Sequence, residues 1–92
     1  MDLSAQMIEK IIQEQEKIIG PVALEQAKKV PGLSVNWQTH EIKFTGNEKD
    51  IVENLVDKYK ALFGPASVEV CKEAVRGIIN KVPKEEVPVL LR

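Results

Sequence analysis

The sequence predicts a single α+β domain, mostly α, in which two helix–Gly-Pro–helix repeats flank one β-hairpin. Three observations support this class. Apolar residues recur every three or four positions over most of the chain, as they do on one face of a helix. They alternate with polar residues only around positions 33–45, as in a half-buried strand. A Gly-Pro pair at Gly20-Pro21 recurs 44 positions later at Gly64-Pro65, and the length of 92 residues fits one domain, residues 1–92.

The first repeat covers about residues 3–30. Its first helix extends from Leu3 to Ile19, with Asp2 as a suitable N-cap. Gly20 can close that helix, and Pro21 suits the first turn of the next one, which extends to about Val30. The apolar stripe of the first helix consists of Leu3, Met7, Ile8, Ile11, Ile12, Ile18 and Ile19.

Residues 33–45 predict a β-hairpin with one apolar face. Its apolar positions are Leu33, Val35, Trp37, Ile42 and Phe44, and the polar link is residues 38–40. An isolated two-stranded hairpin is only marginally stable in water. We therefore expect it to pack on the helices or on another chain.

The second repeat covers about residues 47–82, and a tail covers residues 83–92. Thr45 and Asn47 are alternative N-caps for its first helix. A second helix follows Gly64-Pro65 and is expected to continue to Val82. The apolar stripe of the first of these helices is Ile51, Val52, Leu55, Val56, Tyr59, Leu62 and Phe63, and that of the second is Cys71, Ala74, Val75, Ile78, Ile79 and Val82.

The match between the two halves favours internal duplication over the alternative that any two amphipathic helices align when their stripes are in phase. When residues 7–30 are aligned with residues 51–74, Gly-Pro falls at the same phase of both apolar stripes. The identical pairs are Glu9/Glu53, Gly20/Gly64, Pro21/Pro65, Glu25/Glu69 and Lys28/Lys72. Two such units can bury their stripes against each other as a four-helix core with a pseudo-twofold relation. Gly20, Pro21, Gly64 and Pro65 are then structural joints.

No catalytic, cofactor-binding or metal-binding motif occurs in the chain, so we expect a protein without enzymatic activity, cofactor or metal. One cysteine and one histidine cannot form a structural zinc site. Cys71 lies in an apolar stripe and is best explained as a buried, inert residue. His40 lies beside Glu41 in the hairpin link, where a proton acceptor is an alternative to an exposed turn histidine.

Charge and hydropathy weigh against nucleic acid and membrane partners. The net charge is −1, with acidic and basic residues interspersed. Residues 23–33 resemble the start of a helix-turn-helix, but a strand pattern follows where the recognition helix should be. The hairpin and the helix after it resemble the end of a KH domain, but its GxxG loop is absent. No apolar run approaches the roughly 20 residues of a membrane span, and the N-terminus lacks a signal-peptide pattern, so we expect a cytoplasmic protein.

One resemblance to known proteins is carried by the aliphatic-Gly-Pro-aliphatic-Ala pattern at residues 19–23 and its variant at residues 63–67. It resembles small helical domains appended to bacterial signalling kinases and response regulators. The resemblance implies a regulatory interaction role and assigns no functional residue.

Taken together, these features predict a non-enzymatic regulatory or protein-interaction module. Its small core, its lone hairpin and its apolar tail predict a homodimer that also binds another protein. The candidate interaction residues are Trp37, His40, Phe44, Leu90 and Leu91. The alternatives are a small-ligand sensor, with an apolar pocket between the repeats near Gly20 and Gly64, and a nucleic-acid-binding protein.

Overall fold

The computed structural model describes residues 2–92 and confirms the predicted α+β class. Four α-helices and one two-stranded antiparallel sheet follow one another in the expected order. The elements are α1 (Leu3–Ile19), α2 (Val22–Lys28), β1 (Leu33–Asn36), β2 (Glu41–Phe44), α3 (Glu48–Phe63) and α4 (Pro65–Val75). Three short 3-10 turns complete the chain at Ile79–Lys81, Lys84–Glu86 and Val89–Leu91.

Short polar side chains begin α1 and α3. The Asp2 carboxylate accepts a hydrogen bond from the Ala5 amide at 2.8 Å, which confirms Asp2 as the N-cap of α1. The Asn47 side chain accepts one from the Asp50 amide at 3.0 Å, so Asn47 rather than Thr45 caps α3. Each cap provides an acceptor for an amide that the first turn of a helix leaves unpaired.

The four helices form one core, as the sequence predicts. Helices α1 and α3 contact each other, and α2 and α4 each pack against both of them. The buried apolar side chains of the helices are Ala5, Met7, Ile8, Ile11, Ile12, Ala23, Ala27, Ile51, Val52, Leu55, Val56, Tyr59, Cys71 and Val75. The 3-4 spacing read from the sequence therefore directs each stripe towards a common interior.

The hairpin covers one side of this core. Leu33 lies opposite Phe44 and Val35 opposite Ile42, so the apolar residues of both strands share one face. This face packs on α1 and α2. A lone hairpin is only marginally stable, and packing on these helices stabilises it without the help of a second chain.

The prediction that the last helix continues to Val82 is wrong, because α4 ends at Val75. Gly77 follows the C-cap residue Arg76, and glycine costs about 1 kcal/mol relative to alanine inside a helix. After this break the chain turns back, and Val82, Val87 and Leu91 are buried against the helices. The tail thus covers the core near α3 and α4, with which its last turn is in contact.

The apolar stripes also extend beyond the core. Ile18, Leu62 and Phe63 were expected to be buried, but their exposed fractions are 65, 53 and 43%. All three lie in the last turn of α1 or α3, just before a Gly-Pro pair. The chain reverses direction there, and within residues 2–92 these three side chains stay largely uncovered.

Candidate interaction surface

The two Gly-Pro joints share one backbone geometry. Gly20 has φ 69° and ψ −148°, and Gly64 has φ 79° and ψ −171°. The amide of Gly20 donates to the Glu16 carbonyl at 2.9 Å, and that of Gly64 donates to the Lys60 carbonyl at 2.8 Å. This combination of φ and ψ is almost confined to glycine. The repeated Gly-Pro pairs therefore mark one turn that is built twice.

A reciprocal pair of buried hydrogen bonds connects the two repeats. Gln15 Nε2 donates to the Ser67 carbonyl at 3.0 Å, and the Tyr59 hydroxyl donates to the Ala23 carbonyl at 2.6 Å. Both donors and both acceptors are equivalent at the 44-residue offset. Each repeat therefore donates from its first helix to the second helix of the other, which is the pattern a pseudo-twofold axis produces.

These bonds place both joints at the same end of the helical core. Gln15 lies one turn before Ile18, and Ser67 lies one turn after Gly64. Tyr59 and Ala23 connect the end of α3 to the first joint in the same way. We call this end the joint face and define it by its exposed apolar residues and its two prolines, namely Ile18, Leu62, Phe63, Pro21 and Pro65.

Opposite charges border the two halves of the joint face. Glu14 and Glu16 in α1 are equivalent to Lys58 and Lys60 in α3. Glu14 is paired with Lys17 of its own helix at 3.1 Å. Within residues 2–92, no ion pair involves Glu16, Lys58 or Lys60. The first-repeat half thus carries an unpaired acidic group where the second-repeat half carries a basic one.

Between the repeats, the apolar core also contains a few buried polar side chains, which are hydrogen-bonded. The Cys71 thiol accepts a hydrogen bond from Gln15 Nε2 at 3.4 Å. Burial raises the pKa of this thiol to about 11, although the Gln15 contact opposes the shift. Burial likewise raises the pKa of Tyr59, with smaller contributions from Cys71 and Glu16. The expected burial of Cys71 is confirmed, and a neutral, buried thiol is a poor nucleophile.

The predicted ligand pocket between the repeats near Gly20 and Gly64 stays a prediction. A groove of about 390 Å³ does border Gly20, but its lining residues all belong to the first repeat: Glu16, Gly20, Pro21, Leu24, Glu25 and Lys28. A second groove, of about 420 Å³, lies between the repeats and borders neither glycine; it is lined by Gln26 and Pro31 near the end of α2 and by Asn54, Asp57, Lys58, Ala61 and Leu62 of α3.

The hairpin link adopts a structural role on α1. The Trp37 and His40 rings lie 4.8 Å apart between centroids, and His40 has a positive φ of 56°. Its Nδ1 lies 3.6 Å from Glu9 Oε1, whereas Glu41 pairs with Lys43 at 3.8 Å. The carboxylate next to His40 is therefore Glu9 and not the predicted Glu41. His40 remains exposed, while Trp37 and Phe44 are half-buried against the core.

The tail residues predicted to bind a partner are directed inward. Leu91 is 5% exposed and Leu90 is half-buried against the core, so Leu91 is not accessible to a partner. A groove of about 870 Å³ lies alongside, lined by Ile79, Asn80, Val82, Lys84, Glu85, Val87, Leu91 and Arg92. The Arg92 side chain is part of this lining and donates to the carbonyls of Val87 and Lys84 at 3.2 and 3.3 Å.

Sequence reasoning missed Ile18, Leu62 and Phe63 as surface residues because each continues a buried stripe. A signal was present, since each repeat places two adjacent apolar residues directly before Gly-Pro. Adjacent positions on a helix lie about 100° apart, so a narrow stripe buries one of the two more fully than the other. The exposure of Ile18 and Leu62, at equivalent positions, follows this rule.

Comparison with known proteins adds no relative. No protein-family model, curated protein or solved structure gave a significant match to the chain. Within residues 2–92, no group of three or more His, Cys, Asp or Glu side chains could hold a metal ion. None of the helices described there has the length and apolar character needed to cross a bilayer. The resemblance to signalling domains stays a prediction.

Proposed function

We propose that this protein is a non-enzymatic regulatory or protein-interaction module that forms a homodimer through the joint face. The observation that carries the proposal is the exposure of Ile18 and Leu62, at 65 and 53%, on one end of an otherwise well-packed core. Ile18 and Leu62 lie at equivalent positions beside the two joints, and exposed apolar surface is typical of protein-binding sites. A core of this size also gains stability by association.

The buried polar groups support a non-enzymatic role. Gln15, Tyr59 and Cys71 take part in hydrogen bonds between the two repeats. Burial holds the Cys71 thiol in its protonated form. A cytoplasmic location is part of the proposal, because a single buried thiol needs no oxidising compartment.

Sedimentation velocity of the full chain across micromolar concentrations tests the proposal. We expect a monomer–dimer equilibrium, and we expect Leu62→Lys or Ile18→Lys to raise the dissociation constant more than tenfold. The reason is that burying such an aliphatic side chain contributes roughly 1.5–3 kcal/mol, and a symmetric dimer contains each contact twice.

Val89→Lys is the matched control, because Val89 is 60% exposed but lies in the tail. Its hydrogen bond to Glu53 is made by the backbone amide, which the substitution retains. A dimer that Val89→Lys weakens as much as Leu62→Lys would contradict the assignment to the joint face. A wild-type chain that is monomeric throughout would overturn the proposal.

A further inference from the structure

The occupant of the joint face follows from its charges. We infer that a second copy docks face to face with its halves exchanged, so that the first-repeat half of one copy meets the second-repeat half of the other. Glu16 of each copy then lies opposite Lys60 of the second copy. This inference rests on the proposed dimer and adds its orientation.

Internal pseudo-symmetry makes the two halves of the joint face similar to each other. The reciprocal bonds from Gln15 to Ser67 and from Tyr59 to Ala23 relate the two halves by a pseudo-twofold axis. Ile18 and Leu62 are equivalent under this relation, and both are exposed. An apolar surface with this symmetry presents similar shapes on both halves, so shape alone permits the second copy to bind in two orientations.

Charge favours one of these two orientations of the second copy. A twofold axis lying in the contact plane can place each half either on its own counterpart or on the opposite half. The first arrangement faces Glu16 with Glu16 and Lys60 with Lys60, which is unfavourable. The second faces Glu16 with Lys60 twice, because the two residues occupy equivalent positions in oppositely charged halves.

The charged groups are available for this contact. Within residues 2–92, Glu16 and Lys60 form no ion pair in their own chain, so docking need not break one. Glu14 and Lys58 are likewise equivalent positions with opposite charges, further from the helix ends. The Glu14–Lys17 contact joins exposed side chains in one helix, where such pairs contribute little.

Charge exchange in the full-length protein tests the orientation. Glu16→Lys alone and Lys60→Glu alone each turn two attractive contacts into repulsive ones, so each is expected to raise the dissociation constant about tenfold in 50 mM salt. The double variant with both changes restores the opposite charges and is expected to return within about threefold of wild type. A mixture of the two single variants is expected to form heterodimers in preference to either homodimer.

Matched controls reproduce the change in net charge at positions outside the joint face. Glu86→Lys and Lys81→Glu make the same charge changes at exposed positions in the C-terminal region, and they are expected to leave association unchanged. Raising the salt to 500 mM should shrink the differences among the variants, because exposed charges are then screened. If Glu16→Lys lowers helical content by circular dichroism, Glu14→Lys with Lys58→Glu provides the second pair for the same design.

The outcomes separate this inference from the proposed function. If the chain dimerises and Leu62→Lys weakens the dimer, but the double charge exchange restores nothing, the orientation is wrong and the interaction module stands. Equal dissociation constants for all charge variants overturn the orientation as well. If the wild-type chain never associates, both proposals fail.

Discussion

At the residue scale, the apolar interior contains three polar groups that are neutral at physiological pH. The Gln15 amide, the Tyr59 hydroxyl and the Cys71 thiol lie where the two repeats meet, and each is almost inaccessible to solvent. Their hydrogen bonds offset the cost of burying them. Since Gln15 and Tyr59 are the equivalent residues of the two repeats, one position of the repeat supplies the polar contact in both halves.

The buried thiol predicts a loss of stability in alkali. Burial raises the pKa of Cys71 to about 11, so above pH 9 the unfolded chain releases this proton while the folded chain retains it. The folded state is therefore fully stabilised below the unfolded pKa and loses that contribution as pH rises towards 11. We expect a decrease on the order of 2 kcal/mol in the free energy of unfolding between pH 8.5 and 11.

Denaturant unfolding of the reduced protein at several pH values measures this decrease. Cys71→Ala is the comparison, since alanine stands at the equivalent position 27. The variant should be less stable at neutral pH but lose less stability in alkali, the remainder coming from Tyr59, whose pKa burial also raises. Identical pH dependence in both proteins would show that the thiol does not titrate as its burial predicts.

Sequence patterns predicted single residues unevenly. Asp2 was predicted as a cap because capping depends on residues within one turn. The partner of Gln15 lies 52 positions away, and no local pattern contains it. His40 illustrates the same limit, because its neighbouring carboxylate is Glu9 of α1 and not the adjacent Glu41. Contacts fixed by packing become visible only when the helices have been placed.

At the scale of elements, the helical periodicity of apolar residues predicted all four helices. The Gly-Pro pairs predicted where α1 meets α2 and where α3 meets α4. The periodic pattern could not show that α4 ends at Val75, because Ile78, Ile79 and Val82 continue an apolar stripe. These residues instead follow a chain reversal, and Val82 still reaches the core. An apolar stripe thus records burial, and burial does not require the helix to continue.

The joints predict a specific response to substitution. Gly64 and Gly20 have positive φ with extended ψ, which costs a residue with a side chain about 1–3 kcal/mol even where space is free. A Cβ atom at either position would meet no atom within 4 Å, so backbone conformation alone determines the cost. We expect Gly20→Ala and Gly64→Ala to lower the free energy of unfolding by similar amounts in this range.

Thermal or denaturant unfolding checks this, with Gly77→Ala as the control. Gly77 also has open space around it, but it lacks a positive φ, so alanine there is expected to be neutral or slightly stabilising. Equal costs at all three glycines would mean that the shared geometry of the joints has no energetic consequence.

At the scale of the whole molecule, each repeat carries a segment that covers its own core. The hairpin follows α2 and contacts α1 and α2, while the tail follows α4 and contacts α3 and α4. The equivalent carboxylates Glu9 and Glu53 lie at these contacts, near His40 and the Val89 amide respectively. Glu9 and Glu53, which are identical in the two repeats, therefore both lie where a covering segment meets the helices of its own repeat. The sequence alignment alone did not explain this identity.

This arrangement predicts that neither repeat folds alone and that the two can fold together. A cut in the exposed link between Gln38 and Thr39 separates β1 from β2 and leaves one repeat in each fragment. The connections between the fragments are the paired strands, the Gln15 and Tyr59 hydrogen bonds and the helix packing across the pseudo-axis. Each fragment alone would leave an apolar stripe exposed to water, which opposes folding.

Synthetic fragments 1–38 and 39–92 are therefore expected to show weak helical circular dichroism separately at low micromolar concentration. Mixed in equal amounts, they should recover the helical signal of the intact chain and unfold cooperatively. Introducing Tyr59→Phe into the longer fragment removes its hydrogen bond to the Ala23 carbonyl, and it should weaken recombination by roughly three- to tenfold. If fragment 1–38 is as helical and cooperative alone as in the mixture, the repeats are independent units, and the reciprocal bonds are not what makes the two halves one domain.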